Sequence, residues 1–345
     1  MEKKLWNLEI GNFKKGKRNS ITDVQGVKVG HVTYDDGDKK TGVTAIIPIE
    51  GNIFREKLIA AAHVINGFGK SVGLVQIEEL GTLETPIILT NTLAVGKISD
   101  GLVSYMLDNN SDIGDTTGTV NPVVCECNDG YLNDIRNLFL RKEDVYKAIE
   151  NAKEDFEEGA VGAGTGMVCY NLKGGIGSSS RIVEIEGEEF IIGALTLTNF
   201  GRLKNLVIDN NPVGEAIAKI KKQEETLDKG SIIVVIATDL PLTHRQLKRM
   251  LKRVQSGIAR TGSFVSNGSG EIAIGFSTAN KIPHYGSSKL DIRSYDEKDI
   301  DAIFEATVLA TEEAILQSMY NGKTTVGRKE RKIESIREYD DLWNK

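Results

Sequence analysis

The chain has 345 residues, of which 40% are hydrophobic and 27% are charged, and its net charge is −6 at neutral pH. This length and apolar fraction allow a large buried core, whereas the acidic balance excludes the basic surface that nucleic-acid binding requires. No apolar run reaches the ~18 residues of a membrane span, no apolar signal core is visible, and three cysteines leave one unpaired in any disulfide scheme, so we expect a reduced, cytoplasmic protein without membrane partners.

The first half of the chain interleaves predicted strands and helices. Strands are predicted where apolar residues alternate or run together, over 19–34, 41–48, 85–90 and 121–125. Helices are predicted where apolar residues recur at helical spacing, over 54–66, 94–107 and 143–158. The first helix rests on Leu58, Ile59, Ala62 and Ile65, and the last ends at Gly159, a common helix stop.

The second half of the chain begins with two glycine-rich loops, predicted over 162–170 and 173–180. Neither fits Gly-x-Gly-x-x-Gly between a strand and a helix, so a dinucleotide cofactor is not expected. Cys125 and Cys127 lack a second Cys or His pair, so a metal is not expected either. The remaining elements are predicted as strands over 190–198, 231–237 and 270–277, and helices over 243–258 and 297–320. A polar linker is predicted over 202–230 and a charged tail after Gly322; the interleaving indicates one compact α/β or α+β domain over 1–345.

The junction between Gly230 and Ser231 is the most informative position. A charged stretch, predicted as an exposed loop or fraying helix end, stops at Gly230, and Ser231 opens a β-branched run typical of a buried strand. If the chain is cut there, Ser231 carries a free α-amine, which titrates near pH ~7.7–8.0, beside its own hydroxyl. That pair makes a nucleophile with its own base. A turn that ends at a strand is the simpler alternative.

Three other residues are candidates for the same chemistry. Ser269 and Glu271 are two apart and face the same way on a strand, where they could move protons, although a glycine-rich hairpin also explains them. Asn199 ends an apolar strand and could donate to an oxyanion, although such turns also tolerate Asn. The four histidines are scattered and fit no catalytic motif.

Two further places are weaker candidates. Tyr131, in the turn 128–134, could line a substrate pocket, although Asx capping of a helix explains that turn equally well. The serines at 178–180 are a competing nucleophile site in a glycine/serine loop, but the rest of an amidase-signature pattern is missing.

Taken together, the motifs resemble one known family. The segments that carry the resemblance are residues 20–31, 128–134, 162–167, 173–177, 199–201, 230–231 with 237–239, 259–262, and 267–271 through 276–280. In joint order and spacing they are similar to the L-aminopeptidase/D-esterase (DmpA-like) family, which includes the β-peptidyl aminopeptidases. The similarity covers nearly the whole chain.

The resemblance implies a four-layer α/β/β/α sandwich, related to N-terminal nucleophile hydrolases but differently connected. It implies a precursor that cuts itself into an α chain, 1–230, and a β chain, 231–345, which stay together, usually as a homotetramer of αβ units. Peptides, amides or esters are the implied substrates, with no metal.

The resemblance also implies roles for individual residues. Ser231 is the implied nucleophile for self-cleavage and hydrolysis, Ser269 and Glu271 the proton-handling pair, and Asn199 the oxyanion donor. Tyr131 is a less certain match to an active-site tyrosine. Two alternatives stay open: an acyltransferase related to ornithine acetyltransferase, against which the serine counts because those enzymes use threonine, and an uncleaved binding protein.

Overall fold

The computed structural model describes residues 9–222, 230–286 and 288–342. Its strands, in chain order, are β1 Lys28–Asp36, β2 Lys39–Ile47, β3 Glu56–Gly67, β4 Thr82–Leu83, β5 Ile87–Asn91, β6 Val123–Cys127, β7 Val168–Cys169, β8 Leu172–Lys173, β9 Gly175–Ile185, β10 Glu188–Asn199, β11 Ser231–Thr238, β12 Gly270–Pro283, β13 Thr325–Gly327 and β14 Arg331–Ile333. Its α-helices are α1 Leu74–Leu80, α2 Val95–Asn109, α3 Glu143–Glu150, α4 Val213–Lys221, α5 His244–Leu251, α6 Val254–Arg260 and α7 Ile300–Tyr320.

Two main sheets form the centre of the molecule. The larger sheet has six strands in the order β4-β3-β12-β11-β10-β9, and the smaller has four in the order β1-β2-β5-β6. In the larger sheet β11 and β12 are parallel, and each pairs antiparallel with its other neighbour. The β-branched run that begins at Ser231 is therefore an inner strand with pairing on both sides, as its apolar composition requires.

Three apolar cores separate four layers. An inter-sheet core packs one face of each sheet together, with Leu89 from the smaller sheet and Leu197, Ile233 and Ile274 from the larger. The outer face of the larger sheet packs on α4 to α7, and the outer face of the smaller sheet packs on α2 and α3. The order is therefore α/β/β/α, and the predicted fold class is confirmed.

The predicted helix over 54–66 is wrong, because this segment is strand β3. Its apolar run faces two cores: Leu58 and Ala60 lie in the inter-sheet core, and Ile59 lies in the helix-side core. A strand that is buried on both faces has no alternation, so its residues can match helical spacing by coincidence.

Other boundaries also differ from the predictions. The helix predicted over 143–158 ends at Glu150, and the one over 243–258 is two helices, α5 and α6. The predicted linker over 202–230 contains helix α4, whereas residues 223–229 lie outside the described part of the chain. The predicted charged tail folds back as the β13–β14 hairpin. Among the helices described, none is both long and apolar enough to cross a bilayer.

Candidate active site

Ser231 is the first residue of an inner strand and is almost fully buried. In the ladders it lies opposite Asn199 of β10 on one side and Gly270 of β12 on the other. Alternation along β11 directs its side chain to the inter-sheet face, as for Ile233 two residues later. The structure thus brings three separate predicted segments together at one end of the larger sheet.

Gly230 lies where only a glycine fits. A Cβ at this position would lie 1.8 Å from the Asn199 carbonyl oxygen and 2.6 Å from the Phe200 Cα, both of which are backbone atoms. The Gly230 carbonyl oxygen accepts a hydrogen bond of 3.2 Å from the backbone N–H of Gly270. The carbonyl that precedes Ser231 is therefore held against β12 with a donor already in place.

Ser269 and Glu271 flank Gly270 and are fully buried. Within the described residues, the Ser269 hydroxyl has no hydrogen-bond partner, which is rare for a buried polar atom. Glu271 pairs in register with Ile232, whose side chain lies in the helix-side core, so alternation places Glu271 on the face opposite the Ser231 side chain. The backbone nitrogen of Ser231 lies in the plane between these two faces.

Asn199 lies directly across the ladder from Ser231, with its side chain on the same face. Its Oδ1 accepts a 2.9 Å hydrogen bond from the backbone N–H of Val168. Because a backbone N–H can only donate, this bond fixes which end of the amide is oxygen. The Nδ2 group is left as the end that can donate toward the face shared with Ser231.

Cys127, which the sequence analysis considered only as a metal ligand, is a neighbour of Ser231. It ends β6 of the smaller sheet, and its Sγ lies within hydrogen-bonding reach of the Ser231 side chain. The thiol also donates to the Leu197 carbonyl oxygen at 3.5 Å. Burial raises the pKa of Cys127 well above its usual range, which favours a neutral thiol beside the serine.

Glu126, one residue earlier, places a carboxylate at the same end of the sheets. Its Oε1 accepts from the backbone N–H of Lys70 at 2.9 Å, and its Oε2 accepts from the Thr92 hydroxyl. A Cβ on Gly69 would lie 3.5 Å from Oε1 and 3.6 Å from the Ile272 Cδ1, so the carboxylate faces the start of β12. The sequence signal for it was a lone acidic residue inside an apolar strand.

Asp129 lies two residues beyond Cys127 and is fully buried. Its Oδ1 accepts from the Asn133 Nδ2 at 3.0 Å, whereas its Oδ2 has no partner among the residues described. Burial raises its pKa to about 7, against the opposing effect of the nearby Thr41, Asn133 and Asn91 side chains. It adds a titrating group beneath the turn that carries Tyr131.

The competing serines lie in strand β9 and not in a loop, so that part of the prediction is wrong. Each hydroxyl is buried and already donates: Ser178 to the Ala194 carbonyl at 2.7 Å, Ser179 to the Ala310 carbonyl at 2.6 Å, and Ser180 to the Asp23 carboxylate at 2.7 Å. These serines hold β9 to its surroundings.

Tyr131 lies at the surface with about half of its area exposed (49%). The Arg331 guanidinium stacks on its ring at 4.7 Å from the centroid and also donates to its backbone carbonyl at 3.0 Å. The described contacts of Tyr131 are therefore with the β14 strand, and a role in the pocket stays a prediction.

An α/β/β/α sandwich with a serine at the start of an inner strand fits the class of N-terminal nucleophile hydrolases. The protein-family model described as Peptidase family S58 matches residues 19–333. The chain belongs to that family, so the family predicted from the motifs is confirmed.

A named relative and two solved structures agree with this family assignment. The chain is 38% identical over 339 residues to a β-peptidyl aminopeptidase (BapA) of Sphingosinicella microcystinivorans, covering 91% of this chain and 84% of that protein. The PH0078 protein of Pyrococcus horikoshii OT3 is 53% identical with a TM-score of 0.92, over 97% of this chain and 96% of the other. The L-aminopeptidase D-Ala-esterase/amidase of Ochrobactrum anthropi is 35% identical with a TM-score of 0.88, over 96% and 97%.

The last of these structures is described as a prototype for the serine aminopeptidases and as a new variant among the Ntn hydrolase folds. Its similarity to this chain extends over nearly the full length of both proteins. The family and these relatives support an aminopeptidase function, and the predicted class of enzyme, a hydrolase of the aminopeptidase kind, is confirmed.

Proposed function

We propose that this chain is a serine aminopeptidase that cuts itself between Gly230 and Ser231 and then releases N-terminal residues from peptides, amides or esters. The observation that carries the proposal is the position of Ser231. It begins an inner strand, shares a sheet face with Asn199, and follows a glycine whose carbonyl already accepts from Gly270.

In the self-cleavage step the Ser231 Oγ attacks the Gly230 carbonyl carbon. A C–O ester bond forms, the Gly230–Ser231 C–N bond breaks, and the hydroxyl proton passes to the departing nitrogen. Water then hydrolyses the ester, which leaves a Gly230 carboxylate, a free Ser231 hydroxyl and a free α-amine. The Gly270 N–H, 3.2 Å from the Gly230 oxygen, is placed to stabilise charge that develops there.

In the turnover step the same hydroxyl attacks the first peptide bond of a substrate. The α-amine of Ser231 takes the proton and passes it to the leaving nitrogen, as general base and then general acid. Ser269 and Glu271 support this amine, with Glu271 on the opposite sheet face, where a carboxylate favours the ammonium form. Asn199 Nδ2 donates to the substrate oxyanion, and water finally hydrolyses the acyl-enzyme on Ser231.

An aminopeptidase also needs an anion for the substrate's own ammonium group. Glu271 is one candidate, but it is fully buried. Glu126 retains slight exposure, faces the start of β12 and is one residue from the thiol that contacts Ser231. We favour Glu126 for the substrate amine and Glu271 for the amine of Ser231.

The decisive experiment is the intact mass of the purified protein under denaturing conditions, compared with Ser231→Ala. We expect two pieces from the wild type, the smaller with Ser231 at its N-terminus, and one 37.7 kDa chain from the variant. The wild type should release 4-nitroaniline from aminoacyl and β-aminoacyl 4-nitroanilides, and the variant should not.

Ser179→Ala is the matched control, since Ser179 is a buried serine of the same sheet that donates to a main-chain carbonyl. It should be cleaved and active. Clean cleavage in Ser231→Ala would overturn the assigned nucleophile. Transfer of the acyl group to an added amine in preference to water would favour the acyltransferase alternative.

The proposal also covers the oligomeric state of the protein and its cellular compartment. Several apolar side chains near the C-terminal end of β3 and on α1 are exposed, namely Val64, Phe68, Val75 and Leu80. Contact between copies would cover such side chains, which supports a homo-oligomer, the tetramer being the form to test by light scattering. The three cysteines are free thiols, which suits a reducing cytoplasm.

A further inference from the structure

Lys173 is a fully buried lysine that has no role in the steps above. Its Nζ donates to three backbone carbonyl oxygens, those of Gly164 at 3.1 Å, Met167 at 2.8 Å and Gly174 at 2.8 Å. In the described part of the chain, no carboxylate forms an ion pair with it. A buried ammonium held only by main-chain carbonyls is costly, so its retention calls for a function.

One peptide group connects this ammonium to the candidate site. The Met167 carbonyl accepts from Lys173 Nζ, and also from the Gly174 N–H at 3.1 Å. The N–H at the other end of the same peptide group belongs to Val168, and it donates to Asn199 Oδ1 at 2.9 Å. The side chain of Lys173 therefore holds one end of the peptide whose other end orients Asn199.

The backbone reinforces this connection. Val168 and Lys173 are paired residues of the short β7–β8 hairpin. The backbone N–H of Lys173 donates to the Glu334 carbonyl at 2.8 Å, which ties the hairpin to the folded-back tail. Hydrogen bonds in a chain polarise one another, so a cation on the carbonyl makes the N–H of that peptide a stronger donor.

We propose that Lys173 is a positioning residue for hydrolysis, acting through the Met167–Val168 peptide on Asn199. Its ammonium fixes and polarises that peptide, which holds the Asn199 amide with Nδ2 toward the oxyanion and strengthens it as a donor. The proposal rests on the proposed function, because it assigns Asn199 to the oxyanion of that reaction.

The protonation state of Lys173 matters for this role. Burial lowers its pKa, and the charges on Asp35 and Cys169 oppose that shift. Asp35 itself pairs with Lys40 at 2.5 Å, and the Glu334 carboxylate pairs with Lys221 at 2.8 Å. A neutral amine keeps two N–H groups for three carbonyls, so the contribution is present at low pH and is lost as pH rises through the lowered pKa.

The test compares wild type, Lys173→Met and Lys173→Arg with an aminoacyl 4-nitroanilide. We expect kcat of Lys173→Met to fall about 10²-fold, the scale of losing one oxyanion donor, while KM changes little. Lys173→Arg keeps a cation and should retain more activity. In the wild type, kcat should decrease at alkaline pH with a midpoint below the ordinary lysine pKa of ~10.4. This decrease should be absent from Lys173→Met.

A double-mutant cycle distinguishes action through Asn199 from a general loss of structure. If Lys173 acts through Asn199, Lys173→Met should have little further effect in an Asn199→Ala background. Full additivity of the two losses would overturn the proposal. Lys57→Met is the matched control. Lys57 is also largely buried and also donates to a carbonyl (that of Phe54, 3.0 Å), and it lies at the start of β3.

A spectroscopic measurement separates this proposal from the proposed function. The amide proton of Val168 should shift upfield in Lys173→Met, or in Lys173→Gln if the Met variant does not fold, and should not shift in Lys57→Met. An unchanged Val168 resonance overturns the relay even if activity falls. If the wild type cleaves neither itself nor any anilide, but the Val168 amide proton still shifts in Lys173→Met, only the hydrolase function is overturned.

Discussion

Two groups of serines lie in or next to strands of the same six-stranded sheet, and their hydrogen bonds differ. The serines at 178–180 lie within β9, and each donates to a carbonyl or carboxylate oxygen at 2.6–2.7 Å. Ser231 begins β11 beside a neutral thiol, and the hydroxyl of Ser269 has no partner among the residues described. A hydroxyl that already donates to a fixed carbonyl or carboxylate oxygen is structural, whereas a nucleophile must keep its proton available.

Position along the strand explains the difference. Residues in the middle of β9 are enclosed by strand β10, helix α7 and the segment around Ile21, so their side chains meet fixed acceptors. Ser231 and Gly270 begin their strands together, where ladder pairing starts and a neighbouring carbonyl is not yet available on every side. The comparison can be sharpened by changing polar groups of each kind in turn.

The largest effect is expected from Glu271→Gln, which keeps the volume of a buried side chain and removes its charge. If Glu271 supports the amine of Ser231, kcat/KM should fall about 10²–10⁴-fold, the range of general acid–base catalysis. Initial rates with an aminoacyl 4-nitroanilide measure it. Glu84→Gln, a buried carboxylate paired with Lys57, is the control. Equal losses of kcat/KM in the two variants would mean that Glu271 has no specific role in the reaction.

Gly230→Ala should come next, because its Cβ would collide with the main chain of β10 at 1.8 Å. The displaced carbonyl would leave its position near the Ser231 hydroxyl, and a misplacement of about 1 Å costs on the order of 10² in rate. We expect uncut precursor to accumulate, which gel densitometry over time can measure. Gly96→Ala, where a Cβ meets nothing within 4 Å, should be cut at the wild-type rate; unaltered cutting in both variants would contradict the steric argument.

Asp129 extends the comparison to the turn after β6, since one of its oxygens is bonded and the other is not. Its folded pKa of about 7 exceeds the unfolded value near ~3.9, so the folded state keeps a proton that the unfolded state loses. Stability should therefore fall as pH rises through this window, by about 1.4 kcal/mol per pH unit at most.

Asp129→Asn, which is neutral at every pH, should lack this slope. Urea unfolding at several pH values measures it, in a Ser231→Ala background so that a single chain unfolds. Parallel stability curves for the two proteins would mean that Asp129 does not carry the linkage.

The smallest effect is expected from Ser178→Ala. Its hydroxyl donates to the Ala194 carbonyl and accepts from the Ile21 N–H at 2.8 Å, so alanine removes one hydrogen bond from each of two buried main-chain groups. Loss of a partner for a buried group costs about 1–3 kcal/mol. Urea unfolding should show that loss while kcat stays unchanged. A lower kcat without a stability change would place Ser178 with the reactive serines.

The sequence predicted the mixed α/β class, most strands and the start of a buried strand at Ser231, because each has a local pattern. It failed at β3, where burial on both faces removes the alternation that identifies a strand. It also failed at the serines 178–180, where composition suggested a loop but every hydroxyl had a distant partner. Sequence patterns therefore predict which residues are buried better than they predict the hydrogen-bond partner of a side chain.

The candidate site shows the same limit. Ser231, Ser269, Glu271 and Asn199 were chosen from strand ends and from a family resemblance, and the ladders bring their segments together. The contacts of Cys127 and Lys173 were not predicted, because they form across sheets and across a hairpin. A lysine between an apolar residue and a glycine run was the available signal for Lys173.

The strand order has a consequence for the lifetime of the protein. In the larger sheet β12 and β11 lie between β3 and β10, so a cut before Ser231 leaves the shorter piece inserted between two strands of the longer one. Both ladders would have to open before the pieces could part. Once parted, they would have to find each other by diffusion at cellular dilution. The cut would therefore make folding a one-way event, and the durability of the mature protein would be set by how slowly that sheet opens.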